Sequence, residues 1–549
     1  MPWGKTARLT AALAGLAAAF ALPTTARAQM GASYKLVAFT GQTAPGGSTY
    51  ASFLVPRIAQ NGAVGFAGSL FSEAEGVFAG QPGALQRVAV TNADAPGTGG
   101  LVFSSFSSVT LNSDGTPAFL AEAFGEVGVP GLWAGNSSLG LLANTDLGGL
   151  SNAFVQEIAA PSFMAGNRIA AKASLLFLSE SVGSAVAIGA PGNMQAVLVE
   201  GDSAPGFSNG ETISSLYEND PTNDRVDQND SGLIAFKANV QPSATPSPFE
   251  VIYAGKTTNL KPVAVQKNAA PNIANAVYNG FQADPSLSSD GKIAIVAELA
   301  QFDSKGAVVP SRAIFAGSPG ALHPIVRDGD SIPGKAGATF KNLAHACVNE
   351  TGDVVFKADI LYPNLATRPS IWVKRIDGEP VLIAASGVTF DTPSGAQVAT
   401  NVDFAGAGAF NDLHEAIFTA DFASGSGVYI ADTRPLIPWL RLSSPRKRRD
   451  FVTTDNFVVL KGTAQDETGI AKVEYSVTRI VRSRKHGVKR RSVRMTTPVK
   501  LAKGDRVWSF RVPLSMGRNL VTITATDKLG NVSEPLQVVM LRYSCKGDK

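Results

Sequence analysis

Few residue types in this chain can do chemistry, and their spacing narrows the choice further. His323, His345, His414 and His486 are the whole imidazole inventory of 549 residues, and none pairs with another at metal-ligand spacing. Neither His-Glu-x-x-His nor Cys-x-x-Cys occurs. His345 precedes Cys347 on an alternating stretch, where an inner strand would let it face a central channel. His414 takes the place of a turn glycine, a structural role. The densest run of oxygen ligands extends from Tyr217 to Asp230. Asp220, Asp224 and Asp227 are its calcium candidates, because calcium takes carboxylate and amide oxygens. The spacing is not that of an EF-hand, and a solvated loop explains the same composition. No other cofactor has a signature here.

Charge supplies a second set of candidates. From residue 434 onward there are 25 lysines and arginines against 9 acids, a net +16, while the preceding residues carry −12. The basic residues gather in two runs, Arg446, Lys447, Arg448 and Arg449, then Arg482, Arg484, Lys485, Lys489, Arg490 and Arg491. Clustered cations suit an anionic polymer or envelope surface. Protection of an exposed strand edge, or docking onto the acidic part of the chain, accounts for them as well. No aromatic residue interleaves the runs to stack a base. Gln42, Asp146, Asp202, Asn268 and Asp330 recur in turns of the form Gly-Asp-x-Ala-Pro-Gly and form the candidate ligand face. Asp and Asn beside Gly are also turn formers in their own right.

The elements that must position these residues are written in a repeat. Asn-x-x-Gly-x-x-Ala-Phe returns seven times, ending at Phe66, Phe119, Ala171, Phe236, Ile295, Phe356 and Phe418, with spacings of 53, 52, 65, 59, 61 and 62 residues. Such a period marks one supersecondary unit per copy. Each copy holds four short β-branched or aromatic stretches bounded by turn residues, as strands require. Four antiparallel strands in each of seven copies, without helical periodicity, predict an all-β fold with a seven-bladed β-propeller. The seventh copy lacks its last strand, while Lys35-Leu36-Val37-Ala38-Phe39 stands before the first. Residues 34 to 41 are therefore expected to complete the last blade and close the ring. A distorted β-solenoid is the competing architecture.

Asn112 to Phe119 and Asn229 to Phe236 match the motif fully, and the tandem units resemble those of bacterial secreted proteins named for this repeat. The likeness covers about residues 34–432 and implies export and repeat architecture, with no agreed activity. The third copy departs from it, with Asn167 at the glycine and Ala171 at the phenylalanine. Beyond the repeats, alternating stretches at 457–463, 471–477, 507–512, 520–525 and 536–541 predict a C-terminal β-sandwich. Leu460 to Asp466, Trp508 and Gly517 to Asn531 resemble bacterial Ig-like modules.

Residues 1–28 read as a signal peptide, with Lys5 and Arg8, an apolar middle and Ala26-Arg27-Ala28 before the cut. The expected organisation is a propeller over 29–432, a linker over 433–445 and a basic Ig-like sandwich over 446–549. The product is exported, to the cell surface, the periplasm or beyond, without a membrane span. Two cysteines, Cys347 and Cys545, leave no disulfide framework. With no catalytic signature, the sequence points to a secreted binding protein whose propeller recognises a protein or glycan. An extracellular carbohydrate-active enzyme, hydrolase or lyase, working in the channel is the alternative. Its mark would be unlike residues that break the repeat on one face.

Overall fold

The computed structural model describes residues 32–543 except 73, 136–137, 178–181, 219–223, 244–246, 303–306, 377, 435–437, 446–450, 467–468, 483–487, 494–506 and 528–531; for 479–482 and 488–493 only the backbone is described. Among these residues every regular element is a strand apart from one 3-10 turn, Ala165–Asn167. Seven antiparallel sheets of four or five strands follow one another along the chain. The first runs Arg57–Ile58, Val64–Ser69, Glu75–Gln81, Ala84–Val90, and the next six repeat that order. In the third, fourth and fifth sheets the first strand is split, its second piece being Ser162–Met164, Asp227–Gln228 and Ser286–Leu287. These first strands touch from sheet to sheet through the sixth, and Arg57–Ile58 touches Glu415–Phe422 of the seventh. The fold is all-β and propeller-like.

The repeat motif has a physical reason. The Asn112 side-chain oxygen accepts the N–H groups of Asp114 (3.1 Å) and Thr116 (2.8 Å), which folds the hairpin between first and second strands. Asn229, Asn349 and Asn411 do the same for Leu233, Asp353 and Glu415. The residue three positions on needs a positive φ, which glycine adopts without a Cβ clash. Gly115 has φ 84° and Gly232 79°, while His414 at the same place is held at 61°. The motif phenylalanine is buried and faces an aromatic ring across the ladder: Phe66 on Phe78, Phe119 on Trp133, Phe236 on Tyr253, Phe418 on Tyr429. In the third copy two alanines, Ala171 and Ala187, meet there instead. Its hairpin turns through Gly166 and Asn167, both at positive φ.

The missing strand of the last sheet is supplied from the other end of the chain. Ser33–Phe39 pairs antiparallel with Gly425–Asp432, Tyr34 opposite Ala431 and Leu36 opposite Tyr429. Tyr34 packs edge-on against Phe390 and Phe418, and Phe39 packs on Phe422. Without this strand Gly425–Asp432 would present a row of unpaired backbone groups.

A second set of sheets follows. Trp439–Ser444, Phe457–Gln465 and Val507–Pro513 form one; Phe451–Thr453, Leu536–Arg542, Gly517–Asp527, Ile470–Arg482 and Val488–Val493 form the other. Leu460, Tyr475, Trp508, Phe510, Val521 and Ile523 share their core. Sheet pairing begins at Trp439, so the expected linker over 433–445 is corrected: its second half is a strand, because Leu440 and Leu442 pack on this core. No helix of the described residues is long and apolar enough to cross a membrane.

Candidate functional site

The first strand of each sheet starts at the turn that enters the sheet and ends at the asparagine hairpin. Because side chains alternate along a strand, one register in each copy must face the axis. Two residues before the motif asparagine position stand Arg57, Thr110, Ser162, Asp227, Ser286, Cys347 and Ala409, all buried. Five of these seven, Arg57, Thr110, Ser162, Asp227 and Cys347, line one cavity of about 100 Å³ at the hairpin end of the first strands, together with Gly408 and Arg225.

The cavity is strongly polar. Arg57 and Arg225 are only 8% and 6% exposed. Both border Gly408, where a Cβ would come within 3.0 Å of Arg57 Cδ and 3.5 Å of an Arg225 terminal nitrogen. That Arg225 nitrogen donates, at 3.5 Å each, to Thr110 Oγ1 and Asp227 Oδ1. One Arg57 terminal nitrogen reaches the Pro56 carbonyl at 3.4 Å. Arg57 Nε, Arg225 Nε, the other Arg225 terminal nitrogen and Ser162 Oγ have no protein partner. Burial, and then the neighbouring Arg225 charge, lower the Arg57 pKa to about 9.

Next to this cavity lies an ion cluster that joins sheets. The residue after the motif phenylalanine is lysine in three copies, Lys172, Lys237 and Lys357. Lys172 Nζ binds Asp284 at 2.8 Å and Asp224 at 3.4 Å, all three almost wholly buried. Asp284 also accepts the N–H groups of Arg225 (2.6 Å) and Lys237 (2.5 Å). Burial pushes its carboxyl above the ordinary range against the pull of Lys172. Lys237 pairs with Glu218 at 2.7 Å and Lys357 with Asp403 at 2.6 Å.

His345 sits on the sixth sheet at a ladder irregularity, between the pairs Ala344 with Lys357 and Ala346 with Phe356. Its φ is 45°, a strained value for a residue with a side chain. Its Cβ borders Gly406, which lies between the first two strands of the seventh sheet. Burial, then Lys357, lower its pKa despite Asp403, so the imidazole is neutral at pH 7.

The residues singled out from sequence fall elsewhere. Gln42, Asp146, Asp202, Asn268 and Asp330 lie in turns entering the sheets, at the opposite end from the cavity. Asp202 and Asp330 cap their own turns by accepting the N–H groups of Val199 and Arg327, each at 2.8 Å. The calcium expectation is corrected for the residues described. Asp224 binds Lys172 and the Glu218 N–H, while Asp227 takes Arg225 and the Leu287 N–H. Among the described residues no three His, Cys, Asp or Glu side chains are grouped to hold a metal. Asp220, Arg446, Lys447, Arg448, Arg449, Arg484, Lys485 and Cys545 lie outside the described residues, as do the side chains of Arg482, Lys489, Arg490 and Arg491. Arg57, Arg225, Lys172 and Asp284 were not foreseen. Aligning the seven copies by their hairpins would have shown Arg57, Arg225 and Asp284 as unlike residues along the first strands, and Lys172 as a lysine shared with only two other copies.

The chain belongs to DUF7453, a family of unknown function, whose model matches residues 5–435. No curated protein matches the chain significantly. Among solved structures it is similar to the Dos1 propeller, at 9% identity and TM-score 0.34, covering 72% of this chain and 94% of that one. It is similar to the α-L-arabinanase of Penicillium chrysogenum complexed with arabinobiose, at 13% and 0.30, covering 63% and 99%. The sucrose-6-phosphate hydrolase of Lactobacillus gasseri aligns at 8% and 0.23, covering 80% and 86%. The reading as a binding protein without a catalytic site is corrected here. Carbohydrate hydrolases stand among these neighbours, and Arg57, Arg225 and Ser162 bring buried polar atoms without a protein partner to the cavity, whereas the turn residues named from sequence bring none.

Proposed function

We propose that this protein is an exported carbohydrate-active enzyme working in the central channel of a seven-bladed β-propeller, with an Ig-like sandwich following it. The observation that carries this reading is His345, an imidazole held in strained backbone near the cation Arg57, its pKa lowered by burial. A base beside a fixed cation suits elimination from an acidic sugar. The imidazole takes the proton on the carbon next to the sugar carboxylate, while a guanidinium holds the developing charge. The C–H electron pair becomes the carbon–carbon double bond. The bond to the leaving sugar breaks, and its oxygen keeps that pair and takes a proton from solvent.

Hydrolysis fits less well. It uses two carboxylates roughly 5 to 9.5 Å apart. Asp224 and Asp284 share one ammonium and so have oxygens within about 6 Å of each other, but Lys172 and backbone N–H groups already occupy them. The test is a panel of neutral and uronic-acid polysaccharides incubated with the mature chain, read by new reducing ends and by ultraviolet absorbance of an unsaturated product. Both signals, lost in His345→Asn, support elimination. Reducing ends without absorbance would shift the chemistry to hydrolysis, and neither signal on any polysaccharide would overturn the proposal.

A further inference from the structure

We propose that Arg57 and Arg225 form a binding site for a small oxyanion, foremost a carboxylate, in the cavity at the hairpin end of the channel. A guanidinium carries five N–H donors and no acceptor. Two of them buried together cost free energy unless their donors find oxygen. Here they do not. Arg57 Nε and two Arg225 nitrogens lack protein partners, and the contacts that exist are long, at 3.4 to 3.5 Å. Of the adjoining acids, Asp224 and Asp284 are engaged by Lys172, and Asp227 gives one oxygen to the Leu287 N–H and meets Arg225 with the other only at 3.5 Å. Ser162 Oγ, also unpartnered, opens into the same cavity.

The space between the two arginines is made by sequence. Gly408 has φ 76°, and any side chain there would press on Arg57 Cδ. An oxyanion would receive charge-assisted hydrogen bonds from both guanidiniums, and such bonds are roughly twice as strong as neutral ones. The depressed pKa of Arg57 has the same origin, burial beside a second guanidinium, and an anion between the two would counter the repulsion of Arg225. The carboxylate could be a free anion or a substituent of an acidic sugar. Only the second source rests on the enzymatic reading above.

The experiment is calorimetric titration of the full mature chain with formate, with galacturonate and with neutral galactose. Formate and galacturonate should bind at one site and galactose should not. Galacturonate at least tenfold tighter than formate assigns the site to a sugar acid, and equal affinity assigns it to a free anion. Arg57→Met and Gly408→Ala should each weaken formate at least tenfold. Two variants are used so that poor folding of one leaves the other decisive. No heat from formate in the wild type, or unchanged affinity in folded variants, overturns the site and leaves the cavity to water. Because the readout is binding, a failed cleavage assay leaves this result intact.

Discussion

The side-chain amide of Asn411 donates to the carbonyl of Ala59, 352 residues earlier, at 3.0 Å. The same asparagine folds its own hairpin by accepting the Glu415 N–H. One residue thus makes a local turn and joins the last sheet to the first. Asn229 does likewise toward Ser288, and Asn61 toward Asp114. In the third copy, where Met164 replaces the asparagine, Gln228 and Asp230 of the next sheet reach back instead, to Ser162 and Ala165.

Asn411→Ala should cost about 1–3 kcal/mol, the usual penalty for leaving buried backbone groups unpaired. A fall in the urea midpoint without change in slope would show it. Deleting residues 33–39 should do more, because it bares the edge of Gly425–Asp432. Size-exclusion chromatography should then show association, and an unchanged monomer would contradict the closure.

The ion cluster predicts unequal effects from its two sides. Lys172→Met leaves two buried carboxylates without their ammonium and should destabilise by about 3–5 kcal/mol. Asp284→Asn should cost less, since burial already favours its neutral form. Its native pKa is raised, so its contribution is present at low pH and lost as pH rises through that native value. The variant should lose that part of the pH dependence in denaturant titrations.

Arg57→Met should stabilise the protein near pH 7 when no anion is bound. The native pKa of Arg57 is depressed to about 9, so folding favours its neutral form, and the charged form carries a cost at every lower pH. The advantage of the variant should therefore shrink as pH rises above about 9. Melting curves from pH 6 to pH 10, in buffers free of carboxylate and phosphate, measure it.

If His345 is the base, activity should fall on the acid side only below the ordinary histidine value of 6.5, since its pKa is lowered by burial and Lys357. His345→Asn should abolish cleavage at every pH while leaving formate binding in place. Equal loss of both would mean that the substitution disturbs the channel as a whole.

The architecture was written plainly in the chain because each motif residue answers a local need. Asn112 folds a hairpin, Gly115 supplies its φ, and Phe119 fills the sheet. The missing last strand was legible for the same reason, since Lys35 to Phe39 had no other sheet to complete. The site was not legible, because no local rule requires it. Arg57 and Arg225 stand 168 residues apart and meet only once the ring closes, and Lys172 finds Asp284 112 residues on. The turn acids drew notice because they recur, and recurrence followed from turn geometry: Asp202 and Asp330 make the same cap. The unpartnered arginine nitrogens lie where the copies differ.

The most direct test is a crystal structure of the mature chain grown with selenate, whose anomalous scattering marks the anion. The account predicts a selenate between Arg57 and Arg225, over Gly408. Anomalous peaks confined to the outer surface, with only water between those two side chains, would contradict it.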